Sequence, residues 1–236
     1  MALHHGPKIP GIVLNREYYL DPVLGKSYNG STSASNLVTN SAYNPINATA
    51  NLTNGAEFSS LGAGSFFFDG SNDQIRYDLG ANTYNPLGLP EICTVYAWVY
   101  PVSSTGGIFS HYSGGPVNLG YEIAGGKIGV YQYYTEWREY VSTGSSVPLN
   151  TWSQIAWVRN SSTTMNLYLN DSLNGTLTAD TGTGQYFGGG NQGVLGSLWG
   201  WRFFNGYIGV FMIYFEAHDL AKVQQTFNMY RSRYGV

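Results

Sequence analysis

The chain has 236 residues, of which 43% are hydrophobic, 16% aromatic and only 11% charged, with a formal net charge of -3. At this length roughly 70–75% of the unfolded surface can be buried, so the fold needs no disulfide or metal staple. The weak negative charge and the lack of any Lys/Arg cluster along the chain give no field to gather a polyanion, and nucleic acid is excluded as an expected partner.

Few charges alongside abundant Gly, Ser, Asn, Thr and Tyr favour strands joined by turns over helices laced with ion pairs. Cys93 is the single cysteine, so no internal disulfide forms, and its neighbours Ile92 and Val95 mark it as a packed thiol. The first twelve residues lack the apolar stretch of a secretory signal, and no run of about eighteen apolar residues follows. Neither export nor a membrane helix is expected, and synthesis in a cytoplasm is.

Residues 1–60 carry little periodic pattern. Ile12-Val13-Leu14 is a candidate short strand, after which Asp21-Pro22, Asn29-Gly30 and Asn44-Pro45 mark a run of turns. Tyr18, Tyr19, Tyr28 and Tyr43 would serve nothing in a free linker, so this loop-rich lead-in is expected to pack on the rest of the chain.

Strand candidates then arrive at short intervals: 65–68, 74–77, 94–100, 107–110, 120–124, 127–134, 138–142, 152–159, 164–169, 172–178, 193–197 and 206–215. Gly125-Gly126 and Asn170-Asp171 supply hairpin chemistry between some of them. The pattern predicts an all-β antiparallel sandwich or barrel and not βαβ units. Segments 94–100 and 206–215 are apolar on both faces, which predicts central strands covered on one side by the opposite sheet and on the other by loops or a partner. Leu220, Val223, Phe227, Tyr230 and Tyr234 recur at helical spacing behind Asp219 as a cap, so one C-terminal helix is expected. There is no internal repeat, and Gly188-Gly189-Gly190 is too short for a linker, so a single domain is expected.

Two groups of residues invite a ligand. Asp69, Asn72 and Asp73 place side-chain oxygens in a Gly-containing turn, a candidate site for a hard cation such as calcium; the competing reading is an Asx turn whose oxygens serve backbone N–H groups. Tyr131, Tyr133, Tyr134, Trp137, Trp199 and Trp201 are candidate contacts for a sugar ring or for a protein partner. Trp199-Gly200-Trp201 breaks strand alternation in a Gly-rich loop, so at least one indole is expected to face outward. Catalysis finds little support. Glu136 and Glu139, three apart, would fall on opposite faces of a strand. His4, His5, His111 and His218 are too scattered for a zinc site, and no Gly-x-Ser-x-Gly elbow stands out.

Four stretches read together: Phe66-Phe67-Phe68-Asp69-Gly70-Ser71-Asn72-Asp73-Gln74-Ile75, Thr94-Val95-Tyr96-Ala97-Trp98-Val99, Thr151 to Arg159, and Phe204-Asn205-Gly206-Tyr207-Ile208-Gly209. Together they resemble the laminin-G-like, concanavalin-A-like jelly roll. The opening (Met1 to Ile9, Gly11 to Leu14, Asp21 to Tyr28), the segment Leu52 to Phe58 and the tail from Tyr214 to Gly235 are similar to structural proteins of tailed bacteriophages, cyanophages in particular. Arg16-Glu17-Tyr18-Tyr19 departs from that pattern as an apparent insertion.

The resemblance implies a jelly roll of two antiparallel sheets with residues 1–60 as a lead-in packed on it, residues 61–236 as the domain proper, and Trp98, Trp152 and Trp157 in its core. It also implies a non-enzymatic virion protein, a capsid decoration or cement protein or a fibre component, that docks on capsid or tail proteins; repeated docking of that kind favours a symmetric homo-oligomer. The alternative is a host-surface carbohydrate-binding adhesin, lectin-like and calcium-assisted; otherwise no cofactor is expected. The related β-glucanases carry Glu-x-Asp-x-x-Glu, which is missing here. The catalytic Gln-Ile-His of alginate lyases would correspond to Gln154-Ile155-Ala156, which lacks the base.

Overall fold

A computed structural model describes residues 16–23, 28, 30, 33–35, 49–78, 92–112, 118–133, 137–178 and 192–236. Sixteen strands and one α-helix lie among them: β1 Arg16–Leu20, β2 Ser33–Ser35, β3 Thr49–Thr53, β4 Glu57–Ser59, β5 Ser65–Asp69, β6 Gln74–Asp78, β7 Cys93–Pro101, β8 Gly106–Tyr112, β9 Asn118–Ala124, β10 Lys127–Tyr133, β11 Trp137–Val141, β12 Ser153–Arg159, β13 Thr164–Leu169, β14 Ser172–Thr178, β15 Gln192–Leu195, β16 Asn205–Tyr214 and α1 Leu220–Tyr234.

They form two eight-stranded antiparallel sheets. One runs β14-β13-β12-β7-β16-β5-β4, with β1 also paired to β16; the other runs β11-β10-β9-β8-β15-β6-β3-β2. This is the all-β, two-sheet sandwich with one C-terminal helix that the sequence led us to expect. Between the sheets lies an apolar layer containing Phe66, Val95, Ala97, Val99, Tyr121, Ile123, Ile128, Val130, Ile155, Trp157 and Phe211. The Trp157 indole N–H crosses it to donate to the Gly129 carbonyl at 3.0 Å.

Within the first sixty residues the described stretches include β1 to β4, which the sequence did not mark, and these join both sheets. The stretch that looked like an insertion is β1, with Tyr18, Tyr19 and Leu20 paired to Ile213, Met212 and Phe211. These strands are short and held by main-chain pairing and by a few inward side chains such as Tyr18, Leu20 and Ala50, so their sequences carry little periodic pattern. Ile12-Val13-Leu14 lies outside the described residues.

β7 and β16 lie side by side within the first sheet, and their second apolar face is covered by α1. The Asp219 carboxylate accepts the Lys222 N–H at 2.9 Å, and Gly235 closes the helix at φ 72°. Val223, Phe227, Tyr230 and Tyr234 are buried beneath the helix. The Trp98 ring stacks on both Tyr234 (4.5 Å between centroids, 19°) and Phe227 (5.6 Å, 11°). Tyr234 also accepts the Val210 N–H at 2.8 Å, and its hydroxyl lies where a Cβ on Gly209 would stand.

A second clamp joins the two ends of the chain: Arg233 holds Asp21 through both nitrogens at 2.8 Å, and Tyr19 donates to the same carboxylate at 2.9 Å. Trp98, Trp152 and Trp157 are all buried, as is Cys93, whose thiol is pushed up to about 11 by burial. Among the described residues no helix is long and apolar enough to cross a membrane.

Replacing Gly209 with Ala must drive Tyr234 off the sheet. We expect Gly209→Ala to lower unfolding free energy by about 1–3 kcal/mol in urea denaturation, as overpacking does. An unchanged midpoint would show that the helix seat is not tight.

Candidate functional site

With one face of the first sheet used by the core and the other by α1, the outer face of the second sheet is where the sequence-predicted aromatics gather. The chain leaving β15 crosses that face as a tight hairpin. Leu198 and Trp201 exchange two backbone hydrogen bonds of 2.9 Å, and the two residues between them, Trp199 (φ 48°) and Gly200 (φ 84°), both have left-handed backbones. That is the geometry of a type I′ turn, which favours Asn-Gly; a bulky Trp at its first position is strained, at a cost on the order of 1–3 kcal/mol.

The hairpin lies close because β8 and β9 supply Gly107 and Gly120 beneath it. A Cβ on Gly120 would stand 2.6 Å from Leu198 Cδ2, and one on Gly107 would meet the Leu198 backbone nitrogen at 2.5 Å. Polar ties fix its position. Ser110 Oγ donates to the Ser197 carbonyl and accepts the Trp199 N–H, each at 3.0 Å, while Gln74 Nε2 donates to Ser197 Oγ at 2.8 Å.

The outcome is an aromatic platform at β10. Tyr131 lies 5.1 Å from Trp201, edge to face, and 6.3 Å from Trp199. Trp201 is 39% exposed and Trp199 half-buried, so one indole does face outward. Arg202 follows directly, itself left-handed at φ 47°, with its guanidinium carbon 4.8 Å from the Tyr131 ring centre and 5.0 Å from that of Trp201. Its Nη1 donates to Glu122 Oε2 at 2.7 Å and to Glu139 Oε2. Glu139 stands directly across from Tyr131 on β11, and Glu122 lies on β9 opposite Gly129.

Glu122 has no exposed side-chain surface, and among the described residues its Oε1 has no hydrogen-bond partner. Burial pushes its carboxyl up to about 7, against the pull of Arg202 and with a further push from Glu139.

The profile of the concanavalin A-like lectin/glucanase superfamily matches residues 69–224. The chain belongs to this superfamily. No curated protein matches it. Among solved structures this lectin/glucanase-type domain is similar to domain 4 of AbnA, a GH43 extracellular arabinanase from Geobacillus stearothermophilus, in complex with arabinotriose. The TM-score is 0.64 at 16% identity, covering 89% of this chain and 97% of that one. It is also similar to the receptor-binding domain of botulinum neurotoxin D, with a TM-score of 0.65 at 13% identity over 91% of this chain and 52% of that one. The binding domain of serotype G gives 0.64 at 15% identity, with coverages of 91% and 51%. The domain thus spans about half the length of the neurotoxin chains, and at these identities the likeness is one of fold.

Two other sequence candidates adjoin the platform along the β10–β11 pair, and the rest fall elsewhere. Tyr133 and Trp137 are directly paired across β10 and β11, two positions along from Tyr131 and Glu139; only their backbones are described, and Tyr134 lies outside the described residues.

Asp69, Asn72 and Asp73 occupy the turn from β5 to β6. β6 lies four strands from β10 in the second sheet, about 19 Å at about 4.8 Å per strand. Asp73 Oδ2 accepts the Asp69 N–H at 2.9 Å, Asp69 Oδ1 accepts the Ser71 N–H at 2.7 Å, and the Asn72 carbonyl accepts from Asn54 Nδ2 at 3.0 Å. This is Asx-turn bonding. Asp73 Oδ1 is buried with no hydrogen-bond partner among the described residues, a Cβ on Gly55 would stand 2.8 Å from it, and burial raises the carboxyl above its ordinary range. Among the described residues no group of three or more His, Cys, Asp or Glu is placed to hold a metal ion. His218 is packed under α1, with Nδ1 2.8 Å from the Tyr96 hydroxyl and Nε2 3.0 Å from Glu216.

Sequence reasoning missed Arg202 and Glu122. Nothing in either one's neighbourhood marks it; Glu122 alternates normally along β9, and its partner is 80 positions away.

Because the native Glu122 carboxyl holds its proton up to about pH 7 whereas an unfolded Glu releases it near 4.5, the folded state binds the extra proton between those values. The Glu122 contribution is therefore most favourable below the lower value and is lost as pH rises through the upper one. Urea unfolding should show Glu122→Gln flattening a decline of about 2–3 kcal/mol between about pH 5 and about pH 8; equal slopes in both proteins would contradict the burial argument.

Proposed function

We propose that this protein is a non-catalytic carbohydrate-binding module that holds a saccharide on the Tyr131, Trp199 and Trp201 platform. The observation that carries the reading is a half-exposed Trp201 presented by a strained Trp199-Gly200 turn beside Tyr131. A turn that could be relaxed by Asn instead keeps a Trp, so strain is spent where an aromatic face is displayed. The CH face of a sugar stacks on such rings while neighbouring polar groups bond its hydroxyls. The arabinotriose complex of the arabinanase domain supports saccharide as the ligand class.

Glu122 and Glu139 do not favour hydrolysis. A glycosidase leaves the gap between its two carboxyls open for the glycosidic bond, whereas here one guanidinium nitrogen bonds both.

The likeness of the lead-in, the Phe68-to-Asp73 turn and the tail to tailed-phage structural proteins favours a virion setting, in which the module would work as an adhesin on a host surface. Docking onto capsid or tail proteins, as decoration or cement, is the second reading. It is favoured by the exposed Phe58, Leu61 and Val23 near β4.

On a glycan array the full chain should retain at least one oligosaccharide, and Trp201→Ala should lose at least about tenfold in affinity for it. Trp199→Asn should weaken binding while leaving stability equal or higher, since it relaxes the turn. A blank array, or retention by Trp201→Ala, would defeat the reading. Calcium is a separate matter: the platform needs none, so EDTA should leave saccharide affinity unchanged. A loss reversed by calcium and abolished in Asp73→Asn would instead bring the β5–β6 turn into the function.

A further inference from the structure

We infer that the platform selects neutral saccharides presenting vicinal hydroxyls over acidic ones, with Arg202 and Glu139 as the donor and acceptor that read them. This rests on the saccharide reading above and goes beyond it to ligand chemistry.

Arg202 uses Nη1 for both of its carboxylate bonds, and Nε and Nη2 make no protein hydrogen bond among the described residues. Its side chain is 25% exposed. Those two nitrogens form one edge of a rigid planar fork with parallel N–H groups. Such an edge fits two adjacent oxygens, either a pair of vicinal hydroxyls or one carboxylate. The guanidinium lies over the Tyr131 and Trp201 rings, so this fork sits at the border of the exposed indole, within reach of the hydroxyls of a sugar held there.

The surrounding charge decides between the two ligands. One guanidinium is set against two carboxyl groups, and the more exposed of these, Glu139, is an acceptor that a hydroxyl can satisfy and a ligand carboxylate cannot. A sugar carboxylate at the fork would also sit within one side chain of Glu139, a like-charge contact with no added cation to offset it. A vicinal diol meets the opposite situation: its oxygens accept from Nε and Nη2, and one hydroxyl donates to Glu139.

The backbone supports a positioning demand on Arg202. It is one of six non-glycine residues with a left-handed φ among the described residues, and its carbonyl accepts the Gly107 N–H at 2.6 Å, so the side chain leaves the hairpin in a fixed direction.

The test is titration calorimetry of the full chain with a neutral oligosaccharide retained on the array, with its uronic acid counterpart, and with a deoxy analogue lacking one of the vicinal hydroxyls. The wild-type chain should bind the neutral sugar at least about tenfold more tightly than the other two, as expected where buried or oriented polar groups are left unpaired. Arg202→Lys keeps the charge and loses the fork, and should weaken neutral-sugar binding by about tenfold or more. Glu139→Gln alters only a partly exposed group, so it also serves if Arg202→Lys fails to fold; it should narrow the gap between neutral and acidic ligands. No binding by the wild type sinks the saccharide reading and this inference together. Binding that Trp201→Ala abolishes, with a preference for the uronic acid or with Arg202→Lys and Glu139→Gln both unchanged, overturns this inference alone.

Discussion

The seat of α1 on the first sheet is the contact on which the rest of the architecture depends. β7 and β16 are apolar on both faces, and a strand of that kind cannot stay exposed. Trp98 held against Phe227 and Tyr234, with Tyr234 pressed onto Gly209 and bonded to Val210, turns the outer face of this sheet into a second core. The Asp21–Arg233 clamp then ties the N-terminal strand to the same helix. Both faces of one sheet are consumed by packing, which leaves the outer face of the other for a ligand.

That second face is built for display. Gly107 and Gly120 remove side chains where Leu198 must lie, Ser110 and Gln74 tie down the hairpin, and two left-handed bulky residues, Trp199 and Arg202, are held in place by these contacts. Local strain at an exposed aromatic loop is the reverse of what folding alone selects. A buried carboxyl, Glu122, lies beneath and anchors the arginine. Stability is given up at one small patch, where Trp201 is left 39% exposed.

Much of this was legible in the chain. Gly125-Gly126 and Asn170 do take left-handed turns, the three-and-four spacing from Leu220 does make a helix capped by Asp219, and Trp199-Gly200-Trp201 does break the strand to put an indole outside. The strands of the first sixty residues were not legible, because Thr49–Thr53 and Glu57–Ser59 are short segments of mixed polarity held by main-chain pairing to β6 and β5. The Arg202 cluster was not legible either. Its carboxylates come from two other strands, 80 and 63 residues away, and registers across a sheet leave no local trace in sequence.

The measurement that bears most directly on the account is an NMR titration of the full chain, following the tryptophan indole N–H signals as a neutral oligosaccharide is added. The account predicts that the Trp201 signal, and with it that of Trp199, shifts saturably while Trp98, Trp152 and Trp157, sealed in the two cores, stay fixed. Saturable shifts confined to residues of α1 or the β5–β6 turn, with Trp199 and Trp201 unmoved, would contradict it.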